Sequence, residues 1–279
     1  MANAAYPIIK QNWPYSGPTL LFSDNFDTLS IAGPSNPNGN WMPDDFAWQP
    51  QTQGYQDFAG TNWNLNPNDP KTAPYNPFSV SEGVLTISSF RTPSSIAAAI
   101  ANENAAHGVS NTTPAWCGGF MISRLSFGNS YTEWRARWPN SGKGMFPALW
   151  FYASQLLAPS NKVTAEIDLL EMYGAPNTFY TSTHTTNSTQ TWRTIDTSQW
   201  HTYAVDRQAG WVRCYLDGVL FETLSAYDTA YFNTVPMQLH MNYAMDAYWM
   251  IGSGLGSDST TPSPLLMNVD YVQVWTSKP

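Results

Sequence analysis

Acidic side chains are scarce in this chain, 20 Asp and Glu in 279 residues, yet three of them fall within six positions: Glu166-Ile167-Asp168-Leu169-Leu170-Glu171. Read as a β-strand, the segment puts Glu166 and Asp168 on one face, because side chains alternate with period two. Regular alternation would send Glu171 to the opposite face. One extra residue at Leu169-Leu170, a β-bulge, returns it to theirs. A helix fits worse: at ~100° per residue Glu166 and Glu171 lie ~140° apart, and the aliphatics between them form no stripe. Carboxyls gathered on one face cannot all ionise freely, so one stays protonated while another stays charged. Retaining glycoside hydrolysis uses that division of labour, with a nucleophile and an acid/base whose carboxyls stand ~5 Å apart. The plain alternative is an edge strand with a solvated acidic face.

The elements that must position these groups read as short alternating runs joined by Gly- and Pro-bearing turns. Strands are expected over residues 20–27, 116–127, 131–138 and 148–153 before the acidic strand, with a hairpin at 78–89 turning at Glu82-Gly83. Residues 94–107, with Ile96 and Ile100, form the one expected helix, capped by Ser94 or Ser95. After the acidic strand, Gly174-Ala175-Pro176-Asn177 turns the chain into residues 178–186, where Ser182 and His184 share a face. A hairpin over 200–207 and 211–220, then strands at 237–243 and 269–275, complete the set. Residues 31–77 are dense in Pro, Asn, Gly and aromatics (Trp41, Trp48, Tyr55, Trp63, Tyr75) and read as long ordered loops, since disorder avoids aromatics. Residues 1–19 read as a polar arm over the surface, and 20–279 as a single domain without internal repeats.

Composition narrows the partners. Twelve Lys and Arg against 20 acids give a net charge of −8, which argues against nucleic acid or anionic membrane. No apolar run approaches the ~18 residues of a membrane span. Thirteen Trp, 15 Tyr and 13 Phe exceed what a core requires, and flat aromatic platforms with polar edges suit sugar rings. Cys117 and Cys214 are open to one bridge or two thiols; their strand-like surroundings favour two buried thiols. The four histidines (107, 184, 201, 240) show no metal-ligand spacing. The first residues lack a charged n-region and an apolar h-region, so a secreted protein would have had its signal removed or replaced.

The hexapeptide resembles the bulged E-x-D-x-x-E signature of the family 16 glycoside hydrolases. Its flanks agree. Tyr131-Thr132-Glu133-Trp134-Arg135-Ala136-Arg137 is similar to the family's Y-G-x-F-E-x-R, and Gly142 to Trp150 resembles G-K-G-x-W-P-A-x-W. His201-Thr202-Tyr203 followed by Tyr215-Leu216-Asp217-Gly218, and Asp270-Tyr271-Val272-Gln273-Val274-Trp275, resemble two further family strands. These segments stand in family order over residues 20–276. The resemblance implies an all-β jelly-roll sandwich of two curved antiparallel sheets, of the concanavalin A-like lectin/glucanase kind. It implies endo-hydrolysis of a β-linked polysaccharide with retention, by a secreted monomer needing no organic cofactor or catalytic metal. Glu166 would be the nucleophile, Glu171 the general acid/base, and Asp168 the group holding a proton between them.

The same resemblance suggests Trp150, Ser182, His184 and Asn242 as sugar contacts, with Ser182 and His184 beside Glu171. Trp249 is added where the family closes L-A-V-G-G-x-W, and Trp63 as a platform in the loops, against the alternative of a loop-anchoring Trp. His201 is expected to be structural. Some members carry a structural Ca²⁺, and Gly83 and Asp270 occupy comparable places. Departures are clear too: Arg135 stands for Glu, Thr132 for Gly, Phe146 for Trp and Cys214 for Trp. They bear on the substrate, not the reaction type. The bulged motif points to β-1,3-glucan or galactan, and residues 76–87 resemble bacterial enzymes trimming exopolysaccharides such as succinoglycan. A transglycosylase using the same residues and a non-catalytic glycan-binding module are the other classes; the second would have lost the carboxylates.

Overall fold

A computed structural model describes residues 8–9, 17–43, 62–106, 115–153, 165–184, 188–224 and 236–279. Among them the strands form two sheets. The first runs, edge to edge, Ile8–Ile9, Phe120–Phe127, Met237–Met245, Met145–Tyr152, Glu166–Glu171, Thr178–His184 and Ser188–Thr194, with Trp41–Pro43 also paired to Phe120–Phe127. The second runs Val219–Thr223, Trp211–Leu216, His201–Gln208, Ser130–Arg137, Leu265–Trp275, Val84–Arg91, Trp116–Gly118 and Asn62–Asn64. Leu20–Asp24 and Phe78–Ser81 attach to this second sheet. Pairing is antiparallel except at Ile8–Ile9 and Asn62–Asn64. The all-β sandwich is the architecture expected from the sequence.

Period-two alternation assigns the faces. Met237, Leu239, Met241, Tyr243 and Met245 point into the core, while Gln238, His240 and Asn242 project from the other side of the same strand. Leu149, Phe151, Ile167 and Phe179 join them from the first sheet, and Trp134, Ala136, Tyr203, Val205, Val272 and Val274 meet them from the second. Full burial of each large apolar side chain contributes about 1.5–3 kcal/mol. That core fixes the first sheet, and its outer face is where the acidic strand displays its carboxyls.

Three local outcomes differ from the sequence expectation. The run at 116–127 is two strands in opposite sheets, separated at Gly119. A Cβ on Gly119 would come within 2.6 Å of the Phe78 ring and 2.8 Å of Ile87, so the crossing between layers needs glycine. The run at 211–220 likewise divides at Asp217-Gly218, both with positive φ, into Trp211–Leu216 and Val219–Thr223. Ile8–Ile9, inside the expected surface arm, forms a parallel pair with Ser126 and Phe127. Trp48 and Tyr55 lie outside the described residues. The hairpin turn at Glu82-Gly83 appears as read, both residues having positive φ.

Trp63 is the main correction. It is 0 % exposed and lies on the Asn62–Asn64 strand of the second sheet, packed with Leu65, Ile96, Ile100 and Cys117. Ile96 and Ile100, four apart on the helix Ser94–Ala106, form the apolar stripe that covers it. It anchors the helix and is no sugar platform. The two cysteines are free and buried in separate clusters, Cys117 here and Cys214 in the main core. Trp63→Ala should therefore cost about 3–5 kcal/mol of stability, read by denaturant unfolding. Saccharide affinity of the folded fraction should not change; a loss of affinity without a loss of stability would restore Trp63 to the binding face.

Candidate active site

The bulge is present in the acidic strand. On one side Trp150 pairs with Asp168 and Leu149 with Leu170; on the other Ser182 pairs with Asp168 and Tyr180 with Glu171, with a register shift between Asp168 and Glu171. Both Leu169 and Leu170 are thereby sent into the core, and Glu171 returns to the face of Glu166 and Asp168. The Thr181 hydroxyl donates to the Leu169 carbonyl at 2.7 Å, satisfying backbone at the irregularity.

Cross-strand pairing lays the outer face out in three rows. Phe120, Asn242, Ala148, Glu171, Tyr180 and Trp192 make one. Ile122, His240, Trp150, Asp168, Ser182 and Gln190 make the next, and Gln238, Tyr152, Glu166 and His184 the third. His184 thus opposes Glu166, and its Nε2 lies 3.1 Å from Asp168 Oδ2. The residue paired directly across from Glu171 is Tyr180, and Ser182 and His184 lie beside Glu171 as expected, the first hydrogen-bonded to it. Reactive atoms of Glu166, Asp168 and His184 lie within 4.8 Å of one another.

Trp150 and Asn242 are coupled: the indole Nε1 donates to Asn242 Oδ1 at 2.7 Å. The Trp150 ring stacks near Phe120 (5.8 Å, 20°) and lies against His240 at 4.2 Å. Burial drives His240 down to about 3, so that ring is neutral packing beneath the indole. Ser182 is buried and accepts from Gln190 Nε2 at 3.2 Å. Trp249, 45 % exposed on the helix Tyr248–Gly252, meets Tyr173 edge-on at 4.4 Å and Phe146 at 5.9 Å. Sequence reasoning missed Tyr152, Tyr173, Tyr180, Gln190 and Trp192. The strand Ser188–Thr194, with Thr at 189, 191 and 194, carried a β-branched signal that could have exposed Gln190 and Trp192 as same-face residues.

Burial dominates the electrostatics. It pushes Glu166 up to about 9, with the charges of Asp168 and Glu171 adding and His184 opposing. Asp168 is raised well above the usual carboxylate range by burial and then by the Glu171 charge. Glu171 is raised by burial, against hydrogen bonds from Tyr173 and Ser182 and the nearby His184. A side-chain hydrogen bond joins Glu166 and Asp168, so the two share a proton.

On the second sheet, Asp270, one of the two residues at the expected calcium place, is in an ion pair. Its Oδ2 is paired with Arg135 Nη1, and the Arg135 guanidinium also lies over the Trp200 ring at 4.8 Å. His201, expected to be structural, joins Asp217 Oδ2 at 2.7 Å beside the turn at Asp217-Gly218.

Residues 91–273 match the family model described as Glycosyl hydrolases family 16. The chain is 29 % identical over 275 residues to the endo-1,3-1,4-beta-glycanase EglC of Rhizobium meliloti (strain 1021), covering 92 % of this chain and 52 % of EglC. It is 28 % identical over 270 residues to ExsH of the same organism, also an endo-1,3-1,4-beta-glycanase, covering 91 % and 51 %. The chain spans about half the length of these relatives. The catalytic domain of an endo-1,3-beta-glucanase (laminarinase) from Thermotoga petrophila RKU-1 superposes with a TM-score of 0.71, covering 94 % of this chain and 99 % of that one. At 21 % identity that likeness establishes the fold.

The raised carboxyls have a stability consequence. A carboxyl whose folded pKa exceeds its unfolded one binds more protons in the folded state, so its contribution is complete below the unfolded pKa and is lost as pH rises through the folded one. For Glu166 that window runs from 4.5 to about 9. Glu166→Gln, which keeps a donor toward Asp168, should gain stability relative to the parent as pH rises from 5 to 8. Thermal melts of both proteins at the two pH values measure it; a pH-independent difference would contradict the raised state.

Proposed function

The chain belongs to the glycosyl hydrolases of family 16 and is a glycoside hydrolase, and on that premise we propose that it is a secreted endo-β-glycanase cutting a β-linked polysaccharide with retention. The observation that carries the reading is the bulge that brings Glu171 onto the face of Glu166 and Asp168. In this reading Glu166 attacks the anomeric carbon while Glu171 gives its proton to the departing glycosidic oxygen. The covalent glycosyl-enzyme is then opened by water, whose proton returns to Glu171 as the Glu166–carbon bond breaks. Asp168 takes the proton it shares with Glu166, leaving Glu166 ionised for attack; His184, 3.1 Å away, steadies the charge balance.

The substrate class is a β-1,3- or β-1,3-1,4-glucan or a bacterial exopolysaccharide, in keeping with the names of the two Rhizobium relatives. Trp150 and Trp249 act as sugar platforms, the first held by Asn242 and the second open to solvent. Trp192, 60 % exposed and in the row of Glu171, extends the surface two strands beyond the acid. The protein works as a monomer on a polysaccharide chain, without nucleic acid, membrane or organic cofactor. Arg135 supplies at Asp270 the positive charge that a structural calcium would bring there, its guanidinium being paired with that carboxylate.

Two measurements test this. Glu166→Ala should abolish turnover, whereas Glu171→Ala should stall natural substrates yet retain first-step activity on an activated aryl glycoside. Azide should rescue Glu171→Ala with a β-glycosyl azide and Glu166→Ala with an α-azide; exchanged products would exchange the roles. Separately, chelator and added calcium should leave the melting temperature of the parent unchanged. A calcium-dependent rise would overturn the assignment to Arg135.

A further inference from the structure

We propose that Tyr173 is a positioning residue that fixes which oxygen of Glu171 delivers the proton. The proposal rests on Glu171 being the acid/base. The Tyr173 hydroxyl donates to Glu171 Oε2 at 2.7 Å. A second hydrogen bond sets the direction: Gln190 Nε2, which can only donate, reaches the Tyr173 oxygen at 3.3 Å. The Tyr173 proton is therefore free for the carboxylate, and Oε2 serves as an acceptor. The mobile proton of Glu171 is left to Oε1.

The ring that carries this hydroxyl is locked. Tyr173 stacks on Tyr180 at 4.4 Å and 21°, meets Trp249 edge-on at 4.4 Å and lies 5.8 Å from Phe146. Tyr180 is itself the cross-strand partner of Glu171. Gln190 reaches Ser182 Oγ as well, so one amide spans both hydrogen-bonding supports of Glu171. Burial and the Glu171 charge hold the Tyr173 phenol above its ordinary range, which keeps it a donor at every working pH.

The groups bearing on Glu171 are few. On its own strand they are Asp168 and Glu166; from the adjacent strand come His184, Ser182 and Tyr180; beyond its end stands Tyr173. On the other neighbouring strand its partner is Ala148, which carries no charge. A donor to a carboxylate favours the ionised form, so Tyr173 holds the acid below the value that burial alone would impose. Removing the hydroxyl should therefore raise the pKa of Glu171 and extend its protonated range upward.

Tyr173→Phe keeps the ring and its stacking. On polysaccharide, the basic limb of the kcat/KM profile should move up by about one pH unit, and the rate at the parent's optimum should fall roughly tenfold as Glu171 loses its orientation. On an aryl glycoside with a good leaving group, kcat/KM should stay within about twofold, because that step needs little protonation. Gln190→Ala should move the limb the same way by a smaller amount. An unmoved basic limb in a folded Tyr173→Phe variant overturns the proposal. So does an equal loss on both substrates, which would mark a packing role. Glu171→Ala assayed in parallel separates the two readings: if it fails to discriminate between leaving groups, it is the acid/base assignment that falls.

Discussion

The structure turns on placing three carboxyls on one strand that must also feed the core. A regular strand allots side chains to its two faces strictly in turn. The acidic strand needs Glu171 outside, and the sandwich needs both Leu169 and Leu170 inside. The bulge satisfies both demands with one extra residue, and the Thr181 hydroxyl answers the backbone carbonyl it disturbs. Without the bulge, Glu171 would enter the packed layer between the sheets, where an unpaired charge is far more costly than any contact it could make there.

The same burial that makes the site expensive makes it useful. All three carboxyls are raised, chiefly by removal from water, and hydrogen bonds then distinguish them. Glu166 and Asp168 lean on each other; Glu171 leans on Tyr173 and Ser182. Two carboxyls in near-identical surroundings would titrate as an indistinct pair, whereas different partners separate their duties. The aromatic residues about Glu171 therefore act twice, as a dry wall and, through the Tyr173 hydroxyl, as a polar support.

How far the chain could be read follows from where each signal lies. The triplet and its bulge were legible because spacing alone separates one face from two. The hairpin at Glu82-Gly83 was legible because both residues must adopt positive φ. Trp63 was misread: its Asn and Pro neighbours look like loop, while the residues that bury it, Ile96, Ile100 and Cys117, are more than 30 positions away. Ser182 and His184 were legible beside Glu171 because period two puts both on its face. Tyr180 as the residue paired across from it was not, because register across a bulge cannot be counted from a motif on one strand. Gln190 and Trp192 lay on a polar edge strand that shows no apolar alternation. Gly119 carried its meaning only in three dimensions, as a crossing between layers where no side chain fits.

The departures from the family pattern gain a physical sense on the second sheet. Arg135, where the family usually has Glu, faces Asp270 and lies over Trp200, with Arg137 over the same ring at 4.7 Å. Glu133, two residues earlier on that outer face, accepts from the hydroxyls of Tyr131 and Tyr271, each at 2.7 Å. Each carboxylate on this stretch has a donor drawn from the chain itself. Exposed pairs of this kind contribute little singly. The two outer faces thus differ: the second sheet gives its acids donors from the chain, and the first buries its acids and lets two of them share a proton.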